Sequence, residues 1–146
     1  MAAPRKSRGL TLIELLVALA IAATLAAIAV PGFRAQLLRA HRIEAMEALL
    51  SLASAQERFH LDHGRYATRL ATADEPGLAL AATTATARYR LSIREADGVS
   101  YTALAQPAAG RGQEADARCA EFEITASGRR GARDAAGRDS SAECWR

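Results

Sequence analysis

Residues 9–33 read GLTLIELLVALAIAATLAAIAVPGF, an apolar stretch that carries a single charged side chain, Glu14. A short basic segment with Arg5, Lys6 and Arg8 precedes it. As a helix, about 24 residues reach roughly 36 Å, which is enough to cross a bilayer core of about 30 Å. Ionisable groups within such spans are rare, usually paired and by default functional. We therefore predict a membrane-spanning helix in which Glu14 needs a cationic partner.

A second helical pattern follows Pro31-Gly32, a pair that we expect to interrupt the helix because proline removes a backbone donor. Between Leu38 and Phe59, apolar residues recur at spacings of three, four and seven, with charged residues on the other positions. This pattern predicts an amphipathic helix that ends near Gly64, a residue suited to a helix C-terminus.

The second half of the chain carries strand signals. Apolar and polar side chains alternate over residues 88–94 and 101–105, with an Asp97-Gly98 turn between them. A third alternating run holds Phe122 and Ile124. We predict an α+β fold in which the amphipathic helix covers the apolar face of an antiparallel sheet of three or four strands.

Three segments lack a regular pattern and are expected to be loops. Residues 67–87 are rich in alanine and threonine, and residues 106–117 are polar with glycine and proline. The tail, 129–146, is rich in glycine, serine and arginine, and only Cys144 and Trp145 are suited to anchor it.

Cys119 and Cys144 are the two cysteines of the chain. A membrane segment followed by an even number of cysteines suits export to an oxidising compartment. A bridge that closes about 26 residues would stabilise the fold by roughly 3 kcal/mol in the chain-entropy account. The alternative is a pair of reduced, buried thiols.

Charge and motifs exclude several function classes. The formal net charge is +3, but the three basic residues ahead of Gly9 account for all of it, because 16 acidic side chains face 19 Lys and Arg in total. The remainder lacks the strongly basic character of many nucleic-acid-binding proteins. His60 and His63 share a helix face without a third ligand, and Ser140-Ser141 lacks a base partner. We expect no catalysis, no metal and no cofactor.

The run Gly9-Leu10-Thr11-Leu12-Ile13-Glu14-Leu15 resembles the class III signal of type IV pilins and of pseudopilins. The resemblance implies that prepilin peptidase, a membrane aspartyl peptidase, cleaves after Gly9 and methylates the new amine of Leu10. Residues 1–9 would then be a leader peptide. It also implies that Glu14 neutralises the N-terminal amine of a neighbouring subunit, and that Pro31 is the helix-breaking proline of the family.

The likeness extends along nearly the whole chain. Gln56-Glu57-Arg58-Phe59 and Gly64-Arg65-Tyr66 resemble the end of the long helix in PilE-like pilins, and Cys119 with Cys144-Trp145 resembles their disulfide-closed C-terminal region. The resemblance implies the pilin fold. In that fold the first helix has a transmembrane and assembly half, 10–33, and an amphipathic half, 34–63. The αβ-loop, the antiparallel sheet and the disulfide region follow in 64–146.

The function implied is that of a structural subunit of a type IV pilus that supports motility, adhesion or DNA uptake. Before assembly it would lie in the inner membrane with its C-terminal domain in the periplasm, and afterwards in the extracellular pilus. Its partners would be other pilin subunits, prepilin peptidase and the inner-membrane assembly platform. We favour a minor pilin, because the cysteine-closed region has no long variable loop. The late cysteine pair and Cys-Trp ending favour a pilin over a type II secretion pseudopilin.

Two further interpretations stay open. Residues 1–30 fit an ordinary secretory signal peptide, except that the apolar run is longer than usual and contains Glu14. A DNA-uptake receptor would need phosphate contacts, and arginines on a glycine-rich loop suit them. The candidates are four arginines of the cysteine-closed region, Arg129, Arg130, Arg133 and Arg138. Acidic residues lie among them, so an ordinary solvated surface is the competing interpretation.

Overall fold

The computed structural model describes residues 11–70 and 77–146. A boundary between Leu37 and Leu38 divides the chain into two compact units. The helices and strands in chain order are α1 (Leu12–His63), β1 (Tyr89–Arg94), β2 (Thr102–Pro107), β3 (Glu121–Thr125), β4 (Arg130–Arg133) and α2 (Ser141–Cys144), with a short 3-10 helix at Gln113–Ala115.

Helix α1 is continuous through Pro31-Gly32, where the sequence predicted an interruption. The missing N–H of Pro31 removes one hydrogen bond, and the helical bonds on either side are enough to carry the helix through. The predicted end is confirmed. Gly64 has a left-handed φ of 68°, and its N–H donates to the carbonyl of His60 at 2.8 Å.

The four strands form one antiparallel sheet in the order β1-β2-β3-β4. Strands β1 to β3 lie where the alternating patterns predicted them. Strand β4, however, lies in the tail that was expected to be irregular, so that expectation is wrong there. Its four residues have little intrinsic β-propensity. They form a strand because they pair with β3 and because Ala132, opposite Phe122, joins the core.

The core lies between the second half of α1 and one face of the sheet. Alternate residues of each strand point toward the helix, as the period of two requires. Tyr89, Tyr101 and Phe122 are its largest fully buried side chains. The helix contributes Ala45, Leu49 and Leu52, and the sheet and its flanks contribute Leu91, Ala103, Ala105, Ile124, Ala132 and the two cysteines.

The loop between β2 and β3 is fixed to α1 by a buried polar cluster. Both carboxylate oxygens of Asp116 accept hydrogen bonds from Arg42, Oδ2 from Nε at 2.7 Å and Oδ1 from Nη2 at 2.9 Å. Gln113 donates through Nε2 to the carbonyl of Leu38 at 3.2 Å, and its Oε1 lies 3.1 Å from Nδ1 of His41. Hydrogen bonding to Asp116 outweighs burial and raises the pKa of Arg42, so the guanidinium stays charged.

The C-terminal end of α1 is held by the segment that follows it. The side-chain amide of Gln56 is fully buried and pairs with both backbone groups of Ala67, accepting from N at 2.9 Å and donating to O at 2.8 Å. His60 stacks on Tyr66 with ring centroids 4.5 Å apart, and His63 stacks on Phe59 at 4.1 Å. Over residues 11–70 and 77–146, no cluster of three or more His, Cys, Asp or Glu side chains could hold a metal ion.

Candidate functional site

The N-terminal unit contains the apolar part of α1, and its large side chains are exposed. Leu12 is 78% exposed, Ile28 73% and Phe33 69%. The helix is long and apolar enough to cross a membrane, with a mean hydropathy of 2.5 over a segment of which none is buried. An apolar surface of this size has to be covered by lipid or by other protein chains.

Glu14 lies in the first turn of this helix, where the positive end of the helix dipole favours an acid. Thr11 caps the same turn, because its Oγ1 accepts from the N–H of Glu14 at 3.3 Å. Pro31 lies inside the helix, at the far end of the apolar stretch. The predicted processing residues, Gly9 and Leu10, lie outside the described residues.

The Cys119–Cys144 disulfide is present, with Cα atoms 5.8 Å apart. It joins Cys119, two positions before β3, to the end of α2, and both cysteines are buried. Trp145 anchors the chain end beside it, since its Nε1 donates to the carbonyl of Gly131 at 2.7 Å and its ring contacts Phe122 edge-on. The prediction that Cys144 and Trp145 anchor the tail is confirmed.

The structure separates the four candidate arginines into two kinds. Arg130 lies over the ring of Trp145, with Cζ 5.5 Å from the ring centroid, on the core side of β4. Arg138 is paired with Asp134, four residues before it, at 2.7 Å within a turn. Only Arg129 and Arg133 lie together, on the side of the sheet that faces away from α1.

We call this side of the sheet the arginine face. It carries the side chains that alternate with the core residues along each strand. Four arginines lie at its margins, because β1 and β4 are the edge strands. Two glutamates lie between them on β3. The arginine face comprises Arg90, Ser92, Arg94, Thr102, Leu104, Gln106, Glu121, Glu123, Thr125, Arg129, Gly131 and Arg133.

Ion pairs connect the margins of the arginine face to its centre. Glu121 lies 3.4 Å from Nη2 of Arg94 and 3.9 Å from Nε of Arg133. Glu123 lies 3.3 Å from Nη2 of Arg129. The two carboxylate side chains are only 14% and 8% exposed, whereas the three arginine side chains are 48% to 68% exposed. Most guanidinium N–H groups therefore face solvent, where they can donate to an anion.

Next to β4 the arginine face contains an open pocket of about 250 Å³, lined in part by Arg129, Arg133, Asp139 and Ser141. Hydrogen bonds from Ser141 lower the pKa of Asp139, and the positive charges of Arg133 and Arg129 lower it further. The carboxylate of Asp139 is therefore ionised at neutral pH, and it is directed toward its own turn by those hydrogen bonds.

Sequence reasoning missed Arg90 and Arg94 as site residues. The signal was present, because both fall on the polar positions of the alternating run that predicted β1. What the sequence could not provide was the strand register. In the sheet, Arg90 shares a row with Gln106, Glu121 and Arg133, which are up to 43 positions away along the chain.

Comparison with known proteins identifies the class and the family of this chain. Residues 4–30 match the prokaryotic N-terminal methylation motif, and the exposed apolar helix and the α+β domain agree with the class of type IV pilins and pseudopilins. Residues 31–123 match the family described as "Type IV minor pilin ComP, DNA uptake sequence receptor". The chain belongs to this family. The predictions of a pilin fold and of a minor type IV pilin are thereby confirmed, and the pseudopilin alternative has no comparable support.

Among solved structures, the chain is similar to one described as "High-Resolution Structure of a Type IV Pilin from Shewanella oneidensis". The two share 21% identity and a TM-score of 0.45, over 64% of this chain and 89% of the other. No curated protein matches the chain at a significant level.

Proposed function

We propose that this minor pilin binds DNA through the arginine face of its C-terminal unit, as part of a pilus that takes up DNA. The observation that supports the proposal is the placement of four arginines around two glutamates on one side of the sheet. These six side chains have an excess of two positive charges, and the ionised Asp139 beside Arg133 lowers the excess to one. The family description names a DNA uptake sequence receptor, and a positively charged surface is suited to binding the phosphates of DNA.

The geometry of the arginine face fits contacts with a phosphate backbone. Neighbouring strands lie about 4.8 Å apart, so its two margins are roughly 14 Å apart and can contact more than one phosphate. Lys6 is the only lysine of the chain, so the cationic groups of the mature domain are guanidinium groups. Arginine binds phosphate through a planar fork of donors and is held in place more readily than lysine.

The test is a binding titration of the full-length chain in detergent with a short labelled duplex of random sequence, over a series of KCl concentrations. Arg94→Gln and Arg133→Gln should each weaken binding. Each should also make the negative slope of log K against log salt less steep by about 1. Arg118→Gln is the matched control. It removes a still more exposed guanidinium that pairs with Glu143, outside the arginine face.

An equal loss in Arg118→Gln would mean that binding follows net charge alone, and the arginine face would not be the binding surface. The four earlier candidates separate in the same experiment. Arg129→Gln should behave like Arg94→Gln, whereas Arg130→Gln and Arg138→Gln should have smaller effects because those side chains are engaged elsewhere.

For assembly, the proposal is that the leader, 1–9, is removed by prepilin peptidase after Gly9 and that the amine of Leu10 is methylated. The apolar half of the first helix, 10–33, would then move from the inner membrane into the filament by way of the assembly platform. The amphipathic half, 34–63, and the region that follows it, 64–146, would lie in the periplasm before assembly and on the extracellular pilus afterwards. The match to the methylation motif supports this sequence of events.

Glu14 would pair with the N-terminal amine of a neighbouring pilin subunit in the filament. This is supported by its position as the one charged side chain in a stretch of exposed apolar residues. A carboxylate among packed apolar helices needs a cation close to it. Pro31 would allow the helix to loosen when it packs in the filament, because it already lacks one backbone hydrogen bond. A purely structural subunit of this kind has no catalytic role.

Glu14→Gln tests the pairing, since the amide keeps the shape and removes the charge. The variant should be cleaved normally, as judged by the mass of its N-terminus, but should enter pili poorly. Glu47→Gln, an exposed acid in the other half of α1, is the control and should be incorporated normally. Normal incorporation of Glu14→Gln would refute the pairing.

A further inference from the structure

We infer that Glu121 and Glu123 are built-in counter-ions of the arginine face, which compete with DNA phosphate for its guanidinium groups and so keep binding to arbitrary DNA weak. The inference rests on the proposed function, because it describes how the same surface is regulated. It concerns two acidic residues that do not themselves contact DNA and act through the arginines that they hold.

Glu123 is fixed in the sheet and is not a mobile surface acid. It lies opposite Gly131 in the pairing of β3 with β4. A Cβ atom at Gly131 would lie 2.5 Å from Oε1 of Glu123 and 2.7 Å from its Cγ, so any larger residue there would force the Glu123 side chain out of this position. The side chain is 8% exposed, and its carboxylate lies 3.3 Å from Nη2 of Arg129.

Glu121 is fixed in a similar way. Its Oε2 accepts a hydrogen bond from Nε2 of Gln106 at 2.7 Å, which holds the carboxylate at the centre of the arginine face. From there it pairs with Arg94, whose side chain reaches across β2, and with Arg133 on the opposite margin. One carboxylate thus holds two arginines that come from the two edge strands.

This arrangement places negative charge close to any bound phosphate. A phosphate on the exposed side of one of these guanidinium groups would lie about 7 Å from the carboxylate behind it. With an effective dielectric constant of roughly 40, the repulsion between the two charges weakens binding about sevenfold. Contacts that depend on the DNA sequence then contribute a larger share of the total affinity, and bound DNA is released more readily.

A simpler role is that the glutamates only relieve repulsion among the arginines and stabilise the sheet. The two roles predict opposite effects of neutralisation. If the glutamates were only structural, Glu121→Gln would disorder the arginines and weaken DNA binding. If they compete with phosphate, the same change frees Arg94 and Arg133 for DNA and strengthens it.

The experiment compares Glu121→Gln and Glu123→Gln with the unmodified full-length chain in detergent, using a random-sequence duplex over a series of KCl concentrations. Glu123→Gln should bind about sevenfold more tightly at low salt, and Glu121→Gln more tightly still. The slope of log K against log salt should become steeper, by about 0.9 for each additional phosphate contact. Glu121→Gln should show the larger change, because it frees two arginines rather than one.

Glu143→Gln is the matched control, since it neutralises an acid whose partner, Arg118, lies outside the arginine face. The inference is overturned if Glu143→Gln strengthens binding as much as Glu121→Gln does, or if neither Glu121→Gln nor Glu123→Gln strengthens it. Because the two glutamates hold different arginines, either variant alone decides the question if the other fails to fold. Loss of binding in Arg94→Gln without a gain in the glutamate variants would refute the counter-ion role and leave the proposed function intact. If Arg94→Gln and Arg133→Gln bound DNA as tightly as the unmodified chain, the proposed function itself would be refuted.

Discussion

Arg42 and Asp116 show how a single pair of residues connects distant parts of the domain. They are 74 positions apart, and their side chains are 9% and 5% exposed. Removing two charges from water costs free energy that the pair regains only through its two short hydrogen bonds. Loss of either partner therefore lowers the stability of the domain strongly. Compared with an apolar pair of similar size, the intact ion pair adds little stability.

Asp116→Asn should destabilise the domain by about 3 kcal/mol, because it leaves the guanidinium of Arg42 buried without a counter-charge. The measurement is thermal or urea unfolding of the full-length chain in detergent. Glu143→Gln, which opens an exposed pair, should leave the stability unchanged. Replacing both residues, as in Arg42→Met with Asp116→Leu, should restore much of the loss. If Asp116→Asn alone were as stable as the unmodified chain, the pair would not fix the loop to α1.

Gly131 offers a second test at the level of single residues. Gly131→Ala should destabilise the domain by roughly 1–3 kcal/mol, since the added methyl group collides with the side chain of Glu123. The same substitution in a Glu123→Ala background should cost little, because the colliding atoms are gone. The difference between the two costs is a coupling energy from a double-mutant cycle. Equal costs in both backgrounds would show that glycine is needed at this position for another reason.

At the level of helices and strands, the patterns with a clear period were predictable. The end of α1 at Gly64 and the strands β1 to β3 follow from spacing and turn residues. Strand β4 was not predictable, because Arg130, Gly131 and Arg133 have no strand preference and the strand depends on pairing with β3. The continuity of α1 at Pro31 was also missed, since a proline lowers helix stability without always ending the helix.

The candidate site was only partly predictable, because the sequence gives the residues of β4 but not the side of the sheet that each one occupies. The sequence identified the cysteine pair and the arginines near it. It could not show that Arg129 and Arg133 face Glu121 and Glu123 while Arg130 lies against Trp145, because that depends on which side of β4 each residue occupies. A shift of one residue in the register would exchange the two sets.

The disulfide is the element-level feature whose removal has the clearest expected effect. Cys119 and Cys144 are 25 positions apart. Replacing both with serine should lower the stability by roughly 3 kcal/mol, because the unfolded chain gains the freedom of an open loop. The chain has no other cysteines, so a reductant should produce the same loss in the unmodified protein and none in the double variant. Insensitivity of the unmodified chain to reductant during unfolding would contradict the prediction.

At the scale of the whole molecule, the two units differ in how their apolar side chains are covered. The unit that ends at Leu37 exposes its apolar side chains and depends on lipid or on other chains to cover them. The unit that begins at Leu38 has its own core, its disulfide and its own buried ion pair. The two proposed roles, assembly through Glu14 and DNA binding through the arginine face, therefore involve different units and can be tested separately.

The alkaline limit of stability is a property of the whole domain that can be measured without a ligand. All three tyrosines have raised pKa values, and burial is the main cause in each. Burial, with smaller contributions from Glu57 and Tyr66, raises the pKa of Tyr101 to about 12. Lys6 is the only lysine, so few other groups titrate in this range.

The unfolded chain ionises its tyrosines near pH 10, whereas folded Tyr101 does so near pH 12. Its contribution to stability is therefore complete below pH 10 and is lost as the pH rises toward 12, by on the order of 2 kcal/mol. Unfolding at a series of pH values, followed by tyrosinate absorbance, should show ionisation and unfolding together. Tyr101→Phe should remove this part of the pH dependence of the free energy of unfolding and leave the pH dependence at acidic pH unchanged. If Tyr101→Phe lost stability between pH 10 and 12 as steeply as the unmodified chain, the alkaline limit would have to be assigned to Tyr66 and Tyr89 instead.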